Sequence, residues 1–306
     1  MKRICVVTAL SVMPLLAQTQ LREVEIRRDV QYATHDGVSL AGDYYVPKAP
    51  GKYPVLVAVH GGGWSAGTQA GYRYLGPYLA ERGIALYAIA YRLAKADQPS
   101  YPQAPQDVRA AVQFVKYKAA DLKADPERVG LIGDSAGAHL AALVGIAGDT
   151  GPWTKAGAGN ANPGDPYAAV SGRVKVVVGA YGVYDLVEQW NHDQIARPRD
   201  QITERFLGKA PLDDRKVYFD ASPMSYATRA NNQISFFLTW GTGDDIVDPV
   251  HQSEAFMLAL KQAGFFVRPA PVAAAPHFWL ADPIDEPRGH MSFVAPQIVR
   301  FLEGRL

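Results

Sequence analysis

Residues 129–137 read VGLIGDSAG, an apolar run that ends in a serine between two glycines. The run has the length of a buried strand, and the small residues at 138–148, AHLAALVGIAG, favour a helix directly after it. This strand–turn–helix context is the one that the G-x-S-x-G pattern requires, and it lifts Ser135 above the sheet at a helix N-terminus. A glycine-rich turn with an incidental serine is the alternative. The stretch therefore predicts an α/β fold that presents a nucleophile.

Similar apolar runs recur along the chain, with helical patterns between them. The predicted strands lie at 22–34, 38–47, 53–60, 84–91, 128–133, 174–182, 234–241 and 265–272. Further helices are predicted at 105–122, 250–263 and 295–306. The alternation predicts an α/β class: a mostly parallel central sheet with helices on both faces, preceded by antiparallel N-terminal strands.

Two segments depart from this alternation. Residues 148–173 are rich in Gly, Ala, Asn and Pro, which predicts a long surface loop. Residues 185–232 mix short apolar groups with charges, which predicts an irregular or helical excursion near the carboxyl ends of the strands. Functional loops gather at that edge of a sheet, so the excursion either shapes a substrate site or is a solvated connection.

The N-terminus has the pattern of a secretory signal peptide. Two cations, Lys2 and Arg3, precede an apolar segment at 4–17 with Pro14 inside it. Fourteen residues are too few to cross a bilayer, which needs about 20. We therefore expect a signal peptide at 1–17, a secreted or periplasmic protein, and one α/β domain at 18–306.

Composition excludes several classes of protein. The 31 Lys and Arg residues nearly balance 30 Asp and Glu residues, so no positive excess for binding nucleic acid is visible. A hydrophobic fraction of 48% is enough for a sizeable core. The single cysteine, Cys5, excludes a disulfide scaffold or a cysteine zinc cluster, and no His-Glu-x-x-His motif is present. We expect no cofactor, no metal, no nucleic-acid partner and no stable membrane insertion; the oligomeric state stays open.

A second glycine run, HGGGW at 60–64, follows the strand that ends near residue 60. Glycines let backbone N–H groups approach a substrate, and acyl transfer needs such donors for its oxyanion. A phosphate loop is the alternative, but the Gly-Lys-Ser/Thr ending of a P-loop is missing. The run therefore predicts an oxyanion hole made by the amides of Gly62, Gly63 and Ala136.

A serine nucleophile needs a base and an acid that orients the base. The strand at 234–241 ends in GTGDDIVDP, where Asp244 is the first carboxylate. Asp245 and Asp248 are its rivals, with loop-capping or helix-capping roles as their alternatives. The position directly beyond the strand favours Asp244.

Four histidines compete for the role of the base. His277 follows the last predicted strand by a few residues, in the position of a final triad histidine. His290 is the rival and lies in the charged, Pro-rich stretch DPIDEPRGH. His192 precedes the acid in the chain and His251 follows it too closely, so we predict that His277 is the base.

Together these motifs resemble the α/β-hydrolase superfamily, in particular esterases related to hormone-sensitive lipase and to the bifunctional feruloyl/acetyl-xylan esterases. The resemblance covers roughly residues 38–304. The motifs that carry it are HGGGW (60–64), AYRLA (90–94), YPQAPQDVRAAVQFV (101–115), GDSAGAHLAAL (133–143), GTGDDIVDP (241–249) and HFW (277–279). The resemblance implies a Ser135–His277–Asp244 triad. The chain departs from many relatives at Ala138, where they have glycine, and at Asp248, where they have proline.

Other residues of the matching motifs have expected roles in structure. The resemblance places Arg92 and Asp107 in a buried ion pair beside the site. Trp64 and Trp279 each follow a site motif, and they either pack in the core or stack on an aryl acid or a sugar.

The expected activity is metal-free hydrolysis of carboxylic esters through an acyl-enzyme, on plant-polysaccharide-derived or small acyl esters by analogy. An amidase or peptidase with the same triad is one alternative. A non-catalytic binding protein with this fold is the other, and such proteins usually lose a triad member.

Overall fold

The computed structural model describes residues 21–154 and 164–306, so the predicted signal peptide lies outside the described residues. Within those ranges eight strands form one sheet. The strands are β1 (Val24–His35), β2 (Val38–Pro47), β3 (Tyr53–Val59), β4 (Ala85–Ile89), β5 (Ala124–Asp134), β6 (Val176–Ala180), β7 (Ser235–Gly241) and β8 (Phe266–Val272). Each predicted strand is therefore present.

The sheet has the order β1-β2-β4-β3-β5-β6-β7-β8. The β1–β2 and β2–β4 pairs are antiparallel, and all the other pairs are parallel. The central strands read as continuous apolar runs because both of their faces are covered, as parallel sheets require. The predicted fold class, with its antiparallel N-terminal strands, is confirmed.

Helices surround the sheet in the described part of the chain. They are α1 (Leu75–Glu81), α2 (Gln103–Tyr117), α3 (Ala136–Ala147), α4 (Leu186–Ala196), α5 (Ile202–Leu207), α6 (Arg215–Ala221), α7 (Ala255–Gln262) and α8 (His290–Arg305). Helix α1 was not among the predicted elements, because its seven residues are too short to show a clear period. None of these helices is long and apolar enough to cross a membrane.

Helix α3 lies at the centre of the fold, and every one of its residues is buried. Its Ala and Gly residues allow this close packing: a Cβ on Gly145 would collide with the Val177 side chain of β6. A helix that is apolar all round belongs in a core. The small-residue pattern after Ser135 therefore reflects packing against the sheet.

The segment at 148–173 is only partly the surface loop that we predicted. Among its described residues Trp153 and Tyr167 are buried, and the Tyr167 hydroxyl donates to the Tyr32 carbonyl of β1. Apolar side chains at both ends thus fasten the segment to the body of the protein. Composition alone does not reveal such anchors, because they depend on distant partners.

The expected ion pair between Arg92 and Asp107 is present, with Nη2 2.6 Å from Oδ1. His35 joins it, with Nδ1 2.8 Å from Asp107 and Nε2 2.9 Å from Asp165. Burial of the ring opposes protonation, but the hydrogen bonds to the two carboxylates outweigh it and raise the pKa of His35. The cluster ties β1, α2 and the 164–173 segment together.

Candidate active site

The turn that carries Ser135 is sharp and strained. Strand β5 ends at Asp134 and α3 begins at Ala136, with Ser135 between them at φ 51° and ψ −122°. A positive φ at a non-glycine residue costs of the order of 1–3 kcal/mol and persists where the surrounding structure imposes it. A Cβ on Gly133 would overlap the Gly137 backbone, and one on Gly137 would overlap the Val59 carbonyl oxygen.

We expect Gly137→Ala to destabilise the protein by about 3 kcal/mol or more, because the clash is with backbone that cannot rotate away. Gly71→Ala is the matched control, since a Cβ at Gly71 meets nothing within 4 Å. We expect that change to stay within about 0.5 kcal/mol. Urea unfolding of both variants measures the difference, and equal midpoints would refute the steric account of the turn.

His277 lies beside the serine, as predicted. Its Nε2 is 3.0 Å from Ser135 Oγ, and its Nδ1 is 2.6 Å from Asp244 Oδ2. Because a carboxylate only accepts, Nδ1 carries the proton and Nε2 is free to accept the serine proton. The ring also packs against Tyr181, with centroids 4.5 Å apart. The geometry is that of a nucleophile, a base and an orienting acid.

In the loop after β7, Asp244 and its rival Asp248 have different hydrogen-bond partners. The second oxygen of Asp244, Oδ1, accepts hydrogen bonds from the amides of Ile246 and Val247, both at 3.0 Å. Asp248 instead accepts from the Val250 amide at the start of the next helical segment. Backbone donors hold Asp244 in place, so one oxygen always faces His277.

The rival residues lie away from the serine–histidine pair. Asp248 also contacts His251 on the protein surface. His192 contacts the backbone carbonyl of Asp245 at 3.2 Å, and His290 begins α8 and packs against Trp279. The structure thus brings Asp244 and His277 together with Ser135.

The glycine loop after β3 adopts backbone conformations that favour glycine. Gly62 has φ 117° and Gly63 has φ 57°, and a Cβ on Gly62 would overlap the Ala66 carbonyl. Among the hydrogen bonds of the described residues, none uses the amide N–H of Gly62, Gly63 or Ala136. Open backbone donors beside a nucleophile suit a developing oxyanion.

The two tryptophans next to the site motifs pack in the core. Trp64 is 0% and Trp279 is 1% exposed, so neither offers a face to a ligand in this structure. The Trp64 indole stacks on Phe206 of α5, and its Nε1–H donates to His139 Nδ1 at 3.1 Å. Of the two alternatives for these residues, core packing is the one observed.

His139 has a role that sequence reasoning missed. Its Nε2–H donates to the Ala221 carbonyl at 2.8 Å, and burial lowers its pKa to about 4, so the ring is neutral. It thereby connects Trp64 of the glycine loop with the end of α6. The sequence feature that could have indicated this role is the position of His139 one helical turn after Ser135, on a helix that has no other polar side chain.

The excursion at 185–232 is helical and lies across both loops of the site. Ile202 of α5 lies 3.6 Å from where a Cβ on Gly63 would be. Gln189 of α4 donates to the Ile246 carbonyl at 3.1 Å. The excursion therefore packs beside the glycine loop on one side and the acid loop on the other. A solvated connection would not be expected to pack against both loops.

Comparisons with known proteins show the family of this chain. Residues 43–260 match the family model described as BD-FAE. Esterase LipQ of Mycobacterium tuberculosis is 32% identical over 219 residues, which cover 71% of this chain and 48% of LipQ. The chain spans about half the length of the curated relatives it matches.

Two solved structures share the fold. The acetyl ester-xyloside bifunctional hydrolase of Caldicellulosiruptor lactoaceticus superposes with a TM-score of 0.70 at 23% identity, over 87% of each chain. Thermogutta terrifontis esterase 2, phosphoramylated by tabun, superposes with a TM-score of 0.71 at 22% identity, over 92% of this chain and 94% of that one. At these identities the likeness is one of fold.

Proposed function

The chain belongs to the BD-FAE family of the α/β-hydrolase superfamily, and from this premise we propose that it hydrolyses carboxylic esters with Ser135, His277 and Asp244 as its catalytic triad. The observation that carries the proposal is the continuous chain of two hydrogen bonds, 3.0 Å and 2.6 Å long, from Ser135 through His277 to Asp244. The unused amides of Gly62, Gly63 and Ala136 supply the donors that the reaction needs.

In the proposed acylation step, His277 Nε2 takes the hydroxyl proton while Ser135 Oγ bonds to the ester carbonyl carbon. The carbonyl electron pair moves onto oxygen, where the three amides stabilise the charge. Asp244 stabilises the imidazolium through Nδ1–H. The imidazolium then gives its proton to the departing alkoxide, so an alcohol leaves and the acyl group stays on the serine.

Deacylation repeats these steps with water as the nucleophile. His277 accepts a proton from water, the hydroxide attacks the acyl carbonyl, and the same amides hold the second oxyanion. Ser135 leaves with the proton returned by His277, and a carboxylic acid is released. Each oxyanion donor contributes of the order of 10²–10³ in rate.

For the substrate we propose small acyl esters or acyl groups carried on polysaccharide-derived alcohols. The name of the structural relative from Caldicellulosiruptor, an acetyl ester-xyloside hydrolase, supports this class. Phe278, which is 61% exposed beside His277, offers an apolar surface at the rim of the site. The position of Ile202, 3.6 Å from where a Cβ on Gly63 would be, supports a substrate-shaping role for the excursion.

A fluorophosphonate probe and a substrate panel test the proposal. The probe should label the wild type and Ser39→Ala, an exposed-serine control, but not Ser135→Ala, because only an activated serine attacks phosphorus. The panel should contain p-nitrophenyl acetate and butyrate, acetylated xylan, methyl ferulate, a peptide and a formamide. Turnover of the amides alone would favour the amidase alternative, and undiminished labelling of Ser135→Ala would overturn the triad.

We also propose that the protein is exported, because residues 1–17 have the pattern of a signal peptide. Expressed in a Gram-negative host, the exported protein should begin near Gln18. N-terminal sequencing of the periplasmic fraction checks this. An exported, folded product that still begins at Met1 would contradict cleavage.

A further inference from the structure

Asp134, the residue before the nucleophile, has no part in the triad, yet its carboxyl group contacts the glycine loop. Its Oδ1 accepts a hydrogen bond from the Gly61 amide at 3.1 Å. A Cβ on Gly61 would lie 2.5 Å from Oδ2, so only glycine leaves room for the carboxyl there. Gly61 immediately precedes Gly62 and Gly63, the proposed oxyanion donors. One side chain thus joins the turn that carries Ser135 to the loop that carries these donors.

The same carboxyl group is hydrogen-bonded to Tyr72. The Tyr72 hydroxyl lies 3.0 Å from Asp134 Oδ1 and 3.0 Å from the Val59 carbonyl oxygen. A phenol has one proton to donate, so it cannot serve both acceptors at once. When Asp134 is ionised, Tyr72 can donate to it; when Asp134 is protonated, it can donate to Tyr72, which then serves Val59. The charge of Asp134 therefore decides how the end of β3 is hydrogen-bonded.

No Lys or Arg in the described residues forms an ion pair with Asp134, so its carboxyl group is held by the hydrogen bonds from Gly61 and Tyr72. The titratable groups around Asp134 are Tyr72, Tyr91, Tyr181 and His277. Burial raises the pKa of Asp134 to about 6, against the lowering effect of the hydrogen bonds from Tyr72 and Gly61. The carboxyl is thus ionised above about pH 6, where Tyr72 can donate to it.

We propose that Asp134 is a positioning residue for ester hydrolysis, which holds the amides of Gly62 and Gly63 in place through Gly61. This role rests on the proposed function. It differs from that of Asp244, because Asp134 acts on the oxyanion side of the site.

Two variants test whether the acceptor oxygen of Asp134 carries this role. Asp134→Ala removes both the acceptor for Gly61 and the charge, whereas Asp134→Asn keeps an acceptor oxygen of the same shape and removes only the charge. Loss of a whole oxyanion donor costs of the order of 10²–10³ in kcat, so misplaced donors should cost about 10–100-fold. We expect Asp134→Ala to lose that factor in kcat on p-nitrophenyl acetate with little change in KM, and Asp134→Asn to regain most of it.

A trifluoromethyl ketone inhibitor provides a readout of the oxyanion hole. Its adduct with a serine places an oxyanion where the transition state has one, so its Ki should rise in Asp134→Ala by about the factor that kcat loses. In Asp134→Asn, which keeps an acceptor oxygen for the Gly61 amide, the Ki should stay close to the wild-type value. A residue that only supports the fold would change neither kcat nor Ki in folded protein.

The outcomes distinguish this proposal from the proposed function. Ester hydrolysis that persists in Ser135→Ala refutes the triad itself. If Ser135→Ala is inactive but folded Asp134→Ala keeps the wild-type kcat and Ki, the role of Asp134 alone is wrong. Should Asp134→Ala not fold, Asp134→Leu, which fills the same space without an acceptor oxygen, still decides: a wild-type kcat and Ki overturn the role of Asp134, and a loss of about 10–100-fold supports it.

Discussion

Replacing His277 by alanine is expected to lower kcat for ester hydrolysis by about 10⁵–10⁶, as much as replacing Ser135. The reason is that, among the residues the structure describes, Ser135 Oγ has one base within reach, His277 Nε2 at 3.0 Å. Without it the serine proton has no acceptor and the leaving alkoxide has no donor. Members of such a unit fail together, so the double variant should be no slower than either single one.

His290→Ala is the control for this prediction, since His290 begins α8 and contacts the Trp279 ring at a centroid distance of 6.0 Å. We expect its kcat/KM on p-nitrophenyl acetate to stay within a few-fold of the wild type. Circular dichroism of each variant verifies folding. A slow His290→Ala together with an active His277→Ala would assign the base to His290 instead.

Asp244→Asn should lower kcat by about 10⁴ and leave KM nearly unchanged, because the equivalent change in a serine protease has an effect of that size by trapping the histidine in the wrong tautomer. Here the ionised Asp244 Oδ2 accepts from Nδ1–H at 2.6 Å, and the backbone amides of Ile246 and Val247 already occupy Oδ1. An Asn NH₂ facing His277 would donate to Nδ1, so the proton would move to Nε2 and block the base.

Asp248→Asn tests the alternative in the same loop. Asp248 accepts from the Val250 amide at 2.9 Å, and an asparagine oxygen can cap in the same way, so we expect a stability loss of at most about 1 kcal/mol and a near-normal kcat. The pair of variants is compared by kcat/KM and by thermal unfolding. A severe Asp248→Asn beside a mild Asp244→Asn would transfer the role of the acid to Asp248.

The strands and the order of the site motifs could be predicted from local patterns in the chain. Apolar runs such as 53–59 and 235–241 predict buried strands because both faces of a parallel strand must be covered. The glycines around Ser135 indicate a turn that larger residues cannot adopt. Since parallel strands all end at one edge of the sheet, Ser135, Asp244 and His277 could be expected to meet there.

Contacts between distant segments could not be predicted in this way. The pairing of Asp134 with Tyr72 joins residues 62 positions apart, and His139 meets the Ala221 carbonyl across 82 positions. Neither pair leaves a periodic pattern, since each depends on how whole elements pack. The same holds for the buried ends of the 148–173 segment and for the position of Ile202 beside the glycine loop.

The choice between Asp244 and Asp248 shows which part of the site the sequence determines and which part depends on the folded structure. Both carboxylates stand in one short loop, and their order in the chain favours Asp244 by position alone. Only the folded loop shows that the Ile246 and Val247 amides hold one oxygen of Asp244 and leave the other for His277. Sequence patterns thus determined which elements and residue types reach the site, whereas tertiary structure decided which atoms meet, because hydrogen bonds depend on distances and angles that the order of residues does not contain.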